Sequence, residues 1–141
     1  MMLTSRGRYA VMAMVHMAKA ADKTIPISLG EISVEQNIPL NYLEQIFAKL
    51  RKNNLVTSTK GPGGGYRLSR KLKEINVGEI VQAVEEPIKI TRCNNEEKLR
   101  CMPNQTKCLT HNLWEELSKE IEKYLDSVTL DDFSNGRFVH V

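Results

Sequence analysis

The stretch SLGEISVEQNIPLNYLEQIFAKLRKNNLVTSTKGPGGGYRLS, residues 28 to 69, decides how the chain folds. It opens on Ser28-Leu29-Gly30-Glu31, an S-x-x-E capping box in which Ser28 accepts from a backbone amide and Glu31 reaches back. A short helix is expected from there to about Gln36. Asn37-Ile38-Pro39 breaks it, and Pro39 suits the first turn of a following helix that runs to about Asn53. On that helix Leu40, Leu43, Phe47 and Leu50 form an apolar stripe widened by Ile46, while Asn41, Glu44, Gln45, Lys49, Arg51 and Lys52 face the other way. Leu55 to Lys60, then Gly61-Pro62-Gly63-Gly64-Gly65, then Tyr66 to Ser69 read as strand, glycine loop, strand.

Two helices joined by a tight turn, with polar groups near the amino end of the second, match the way a helix-turn-helix reads a major groove, and the glycine hairpin behind them is a wing. Asn41, Tyr42 and Gln45 are the expected base-edge or backbone contacts. Glu44 is repelled by phosphate unless it accepts from a cytosine amino group, so it acts as a selector against the wrong site. The plainer alternative pairs Glu44 with Lys49 or another cation in solvent. Lys60 and Arg67 on the wing face the phosphate backbone, and the amides of Gly63 and Gly64 can approach it without side-chain interference. Together with Tyr9 and Pro39 these residues make up the candidate DNA contacts. The loop is no nucleotide-binding P-loop, because no Gly-Lys-Ser/Thr follows and no helix opens from it.

Charge supports an anionic partner for the first half alone. Residues 1 to 73 carry 12 Lys/Arg against 4 Asp/Glu, net +8; residues 74 to 141 carry 8 against 13, net −5; together they give the net +3 of the 141-residue chain. A basic half joined to an acidic one points to a polyanion, although solvated charge alone could produce part of the asymmetry. Upstream, Thr4 or Ser5 can cap a first helix whose Tyr9, Ala10, Ala13, Met14, Met17 and Ala21 recur at helical spacing. Those methionines read as core, and His16 reads as an ordinary helix residue. Arg6 and Arg8 oppose the dipole at the amino end of this helix, a placement that a phosphate explains better than helix stability does. Asn76-Val77-Gly78-Glu79 starts a further helix in capping-box style, with Val77, Ile80, Val81 and Val84 inward and Pro87 closing it.

Every cysteine falls between residues 93 and 108, spaced C-x7-C-x6-C-x2-H through Cys93, Cys101, Cys108 and His111. Three thiols and an imidazole complete a four-ligand set suited to zinc or to the iron of an iron-sulfur cluster. If Thr106 caps a helix, Cys108 and His111 share its first turn at i and i+3. The plainer alternative is three unrelated reduced thiols and a surface histidine. A disulfide framework fits poorly: the cysteine count is odd, no apolar signal segment opens the chain, and no run approaches about 18 apolar residues. The expected setting is cytoplasmic, with no membrane partner. Farther on, Leu109, Leu113, Leu117, Ile121, Tyr124, Leu125 and Val128, with Trp114 beside them, run down one side of a long helix. A winged helix cannot cover so long a stripe, so a second copy is expected, placing two recognition helices about 34 Å apart on a roughly palindromic site.

Taken together, Leu3-Thr4-Ser5-Arg6-Gly7-Arg8-Tyr9-Ala10-Val11, Tyr42-Leu43-Glu44-Gln45, Leu50-Arg51-Lys52-Asn53, Gly61-Pro62-Gly63-Gly64-Gly65-Tyr66, Val77-Gly78-Glu79 and Cys108-Leu109-Thr110-His111 resemble the IscR family of iron-sulfur cluster regulators, from Met1 to about Phe133. The resemblance implies a homodimeric winged-helix transcription factor with a [2Fe-2S] cluster on Cys93, Cys101, Cys108 and His111. It further implies cluster donation by the iron-sulfur assembly machinery and repression of the assembly genes when the cluster is present. Without the cluster the family's DNA preference changes, and the glutamate matching Glu44 enforces that change. The loops between the cysteines are longer than the family pattern and lack its glycines, and Asn41 and Lys60 stand where Ser and Arg are expected.

The expected fold class is mainly α with a small β wing: a winged helix-turn-helix plus a long C-terminal dimerisation helix. The expected divisions are 1–86 for DNA binding, 87–112 for the cluster loop and 113–141 for the dimerisation helix and a tail whose residues 134–141 carry no pattern. Two other functions fit some of these residues: a DNA-binding regulator with structural zinc or a thiol-redox site, and an iron-sulfur carrier. The carrier has no use for the basic half or the wing. An enzyme is not expected, since no nucleophile and base or paired carboxylates can be argued.

Overall fold

The structure, a computed structural model, describes residues 5–20, 22–85 and 108–138. Along the chain come α1 (Ser5–Ala18), α2 (Leu29–Gln36), α3 (Leu40–Lys52), β1 (Val56–Thr59), β2 (Gly65–Leu68), a single 3-10 turn at Leu72–Glu74, α4 (Val77–Val84), α5 (His111–Ser127) and α6 (Leu130–Ser134). The architecture is mainly helical with a two-stranded antiparallel wing, as the sequence pattern implies.

Helix α1 turns Ala10, Ala13, Met14, Met17 and Ala18 into the core, which bears out the packing role of its methionines. Ser28 caps α2 by accepting from the Glu31 amide at 3.1 Å. The reciprocal half of the expected box does not form, because the Glu31 carboxylate instead turns to His16 Nε2 at 3.4 Å. His16 also meets the Gln36 side-chain amide at 3.0 Å, so it pins α1 to α2. Asn37, at φ 53°, ends α2 in the left-handed region where its short polar side chain is tolerated. Leu43, Ile46, Phe47 and Leu50 of α3 are buried as the stripe requires. Leu40 is not: it is 44 % exposed, because as the first residue of α3 it projects beyond the edge of the core.

The wing pairs Val56 with Leu68, Thr57 with Arg67, Ser58 with Tyr66 and Thr59 with Gly65. A third segment, which the sequence pattern did not announce, joins its edge: Ile27 donates to the Tyr66 carbonyl at 2.9 Å, and Tyr66 donates to the Ile27 carbonyl at 2.8 Å. This contact explains one glycine directly. Gly65 sits at φ 154°, and a Cβ there would run into the Ile27 carbonyl. The rings of Tyr66 and Phe47 lie 4.9 Å apart and fix the wing onto α3.

The capping box of α4 forms in full: the Glu79 amide donates to Asn76 Oδ1 at 2.8 Å and the Asn76 amide to Glu79 Oε2 at 3.2 Å. The carboxy-terminal arm is then tied back to the winged half through backbone. Val77 donates to the Val128 carbonyl at 2.8 Å and Leu130 to the Ile75 carbonyl at 3.0 Å. Leu130 is fully buried in the main core, and Val128 packs on Val77 and Val81. The expected stripe of α5 therefore divides. Leu125 and Val128 pack on α4, whereas Leu113, Leu117 and Tyr124 remain 54 %, 42 % and 52 % exposed. Leu109 lies ahead of the helix and is fully exposed, a correction to its expected place on the stripe. Pro87, Ala21 and Thr4 lie outside the described residues.

Candidate nucleic-acid interface and ligand turn

Pro39 stands at the amino end of α3, and Asn41, Glu44 and Gln45 are exposed along its first two turns, opposite the face spent on the core. Tyr42 is half-buried, and its ring meets Tyr9 of α1 edge-on at 5.5 Å. The two tyrosines join the amino end of α1 to the amino end of α3, which places Tyr9 beside the expected contacts. No ion pair joins Glu44 to Lys49 or to another cation among the described residues, so its carboxylate is presented to solvent on the same edge as Gln45.

Lys60 and Gly63 are exposed at the wing turn. Gly61 and Gly63 have φ of 92° and 74°, and the Gly64 amide donates back to the Gly61 carbonyl at 2.9 Å, closing the turn on itself. A Cβ at Gly64 would run into the Thr59 carbonyl. The Gly64 amide is thus spent on the turn and is not offered outward as the sequence reading had it. Arg67 is exposed on β2, and its guanidinium donates to the Thr24 carbonyl at 3.5 Å. Thr24 is an exposed residue of the α1–α2 loop, braced by Asp22, which accepts from both its amide and its hydroxyl. These two bonds hold the Asp22 carboxyl below its ordinary range, with the hydroxyl bond the larger cause. The Asp22-x-Thr24 pattern is the local sequence signal of this brace. The described DNA-contact candidates thus fall on three neighbouring elements, α1, α3 and the wing, which share the basic half.

Of the four proposed ligands, Cys108 and His111 are described; Cys93 and Cys101 lie outside the described residues, as does Thr106. The helix does not begin before Cys108. It starts at His111, with Thr110 at the cap position, and the Thr110 hydroxyl accepts from Trp114 Nε1 at 3.0 Å rather than from a helix amide. Cys108 therefore sits in a turn ahead of α5, not on its first turn. The i to i+3 relation survives as a backbone bond, His111 amide to Cys108 carbonyl at 3.1 Å. His111 is buried, with its side chain 9 % exposed, and Glu115 Oε2 lies 3.8 Å from its Nε2. Cys108 is a free, half-buried thiol with Sγ 3.7 Å from Thr110 Oγ1. Among the described residues no three His, Cys, Asp or Glu side chains form a metal-holding group, and no helix is long and apolar enough to cross a membrane.

The family model for Rrf2, an iron-dependent transcriptional regulator, matches residues 3–136. The chain is 46 % identical over 139 residues to the HTH-type transcriptional regulator IscR of Pectobacterium atrosepticum, covering 99 % of this chain and 82 % of that protein. Among solved structures it superimposes on T. potens IscR with a TM-score of 0.77 and 34 % identity, covering 97 % of this chain and 88 % of the other. It also superimposes on CymR, the global cysteine regulator of B. subtilis, with a TM-score of 0.76 and 30 % identity, covering 96 % and 97 %. These relatives are named as regulators of transcription and not as enzymes. The chain belongs to the Rrf2 family of iron-dependent transcriptional regulators and is a winged-helix DNA-binding protein similar to IscR.

Proposed function

We propose that this regulator holds a [2Fe-2S] cluster on Cys93, Cys101, Cys108 and His111, and that in the loaded state, as a homodimer, it represses the genes of iron-sulfur cluster assembly, whose machinery supplies the cluster. The observation that carries the reading is the ligand turn. A histidine is buried at the first residue of α5, and the same turn is closed by the carbonyl of a free cysteine. A buried imidazole beside a thiol fits a borderline metal with mixed sulfur and nitrogen donors. Bound there, the cluster would supply a redox-responsive charge beside the start of α5. The proposed division is 1–86 for DNA binding, 87–112 for the cluster loop and 113–141 for dimerisation.

The chain's own residues do the rest. Asn41 and Gln45 meet base edges, Tyr42 and Tyr9 fix the entry of α3, and Glu44 admits a site with a cytosine amino group and rejects one without. Pro39 sets the turn before α3, while Lys60, Arg67 and the exposed wing glycine Gly63 follow the phosphates, and Gly64 closes the turn that carries them. Because residues 128 to 130 bind α5 to the winged half by backbone, a shift at the ligand turn changes how α3 is presented. Two copies facing each other through Leu113, Leu117 and Tyr124 present two α3 helices about 34 Å apart. That coupling is a difference in DNA affinity between two states.

Anaerobic purification with iron and sulfide analysis, a visible absorption spectrum and operator binding before and after cluster removal tests the reading. Cys108→Ala is expected to lose the absorption and the difference in binding together. A colourless wild-type protein with stoichiometric zinc, or Cys108→Ala with unchanged operator affinity and selectivity in both states, overturns it.

A further inference from the structure

We infer that Glu85, the residue that closes α4, is a positioning residue for DNA reading: its carboxylate seats the first turn of α1 and so sets where Tyr9 meets Tyr42 at the amino end of α3. The inference rests on the DNA-contact roles proposed above for α3. Among the contacts of Gly7, its amide donates to Glu85 Oε1 at 3.2 Å, across 78 positions of sequence. The three nearest atoms that a Cβ on Gly7 would meet all belong to the same carboxyl: Oε2 at 2.7 Å, Cδ at 2.9 Å and Oε1 at 3.2 Å. Gly7 is buried and helical, with no positive φ to require a glycine. A glycine inside a helix weakens it relative to alanine, so what the missing side chain provides is room for Glu85.

Charge and geometry agree. The first turn of α1 holds no acidic residue, and Arg6 and Arg8 stand beside Gly7 against the helix dipole. Glu85 brings to that turn, from α4, the negative charge that α1 lacks. Its own place is fixed by α4, because its amide donates to the Val81 carbonyl at 2.9 Å and the neighbouring Val84 is buried. At 3.6 residues per turn, Gly7 and Tyr9 point about 200° apart around α1, so one turn rests on Glu85 on one side and offers Tyr9 on the other. The Tyr9 ring meets Tyr42 edge-on at 5.5 Å, and Tyr42 stands in α3 between Asn41 and Gln45. A first turn that rises off its seat carries Tyr9 across that ring and turns the reading edge of α3.

Full-length protein purified anaerobically is titrated by fluorescence anisotropy against two labelled duplexes: one that the wild type selects from a random-sequence pool, and a shuffled duplex of the same composition. The readout is the ratio of the two affinities, which lost stability alone does not move while the protein is folded, and cooperative urea unfolding checks that each variant is. Glu85→Ala is expected to lower the ratio about three- to tenfold, the range of a residue that acts through others. The loss falls on the selected duplex, whereas removal of a negative charge alone would strengthen both. Glu85→Gln, which keeps the length and an accepting oxygen, is expected to recover most of the ratio. Gly7→Ala places a methyl where the carboxylate sits and is expected to lower the ratio as Glu85→Ala does. The double variant is expected to do no worse than Glu85→Ala, because the two changes remove one contact. With Gln45→Ala lowering the ratio, three results overturn the positioning role alone: an unchanged ratio in Glu85→Ala, a Glu85→Gln no better than Glu85→Ala, or losses that multiply in the double variant. Gln45→Ala with the wild-type ratio removes the reading by α3, and the positioning role with it.

Discussion

Helices α3 and α5 carry the same kind of apolar stripe and meet different fates. On α3 the stripe residues Leu43, Ile46, Phe47 and Leu50 are at most 1 % exposed. On α5 Leu113, Leu117 and Tyr124 keep about half their surface in water, while Leu125 at the end of the helix packs against α4. A helical period in the sequence shows that a face needs cover but not what provides it. For α3 the cover is α1, α4 and the wing of the same chain; for α5 the proposed cover is a second copy. The winged half covers its own apolar faces within one chain, and the proposed roles give its outward edge to DNA and the open face of the arm to a second copy.

The largest expected effect sharpens this contrast. Phe47→Ala removes a fully buried ring that also seats Tyr66 of the wing, and it should cost about 3–5 kcal/mol in urea unfolding. Leu117→Ala deletes an exposed side chain. At protein concentrations low enough to keep the chain monomeric it should stay within about 0.5 kcal/mol of wild type, yet it should shift the dimer toward monomer in sedimentation equilibrium. Equal losses in dilute unfolding would break the comparison, because they would mean that the exposed face of α5 is covered within one chain.

A smaller effect divides the outward edge of the winged half. Gln45 is exposed on the second turn of α3 and Lys60 at the wing turn. Gln45→Ala should cost about 1–3 kcal/mol of discrimination between operator and a variant at one base pair. Lys60→Ala should weaken all DNA about equally and reduce the salt slope by about one phosphate contact. Fluorescence-anisotropy titrations at several salt concentrations measure both, and a uniform loss for both variants would merge the two roles. The same titrations on Gly65→Ala should show weaker binding through a distorted wing, and its unfolding should fall by more than about 1 kcal/mol, since φ 154° and the Ile27 carbonyl leave no room for a Cβ.

What could be read in advance follows from the range of the interactions. The helix-turn-helix, the glycine turn and the α4 cap depend on residues within a few positions of each other, so Ser28, Pro39, Gly61 to Gly65 and Asn76 announce them. Contacts between distant backbone segments leave no such trace. The bonds that bring Ile27 to Tyr66 of the wing, and residues 75–77 to 128–130, recruit Ile27 and those two stretches, none of which reads as a strand in sequence. Competition between partners was equally hidden: Glu31 leaves its cap for His16, and Thr110 spends its hydroxyl on Trp114 rather than on a helix amide. Of the four proposed ligands, the fold brings Cys108 and His111 into one turn, joined by a backbone bond that their i and i+3 spacing allows.

The smallest effect lies at the joint between the two regions. Asp132, in α6, accepts from the Thr129 amide at 2.9 Å and from Arg137 at 3.0 Å. The Thr129 bond is the chief reason its carboxyl is held below the ordinary range; partial burial opposes the shift, and Arg137 adds to it. A carboxyl whose folded pKa lies below its unfolded value of about 3.9 stabilises the fold above that pH, and the contribution is lost as pH falls through the folded value. Asp132→Asn should therefore lower Tm slightly at neutral pH, and the gap from wild type should narrow as the solution is acidified below the ordinary carboxylate range. A gap that holds constant into acid would assign the joint to the geometry of the Thr129 turn rather than to charge. The backbone bonds of residues 128 to 130 would then be what ties the open arm to the closed half.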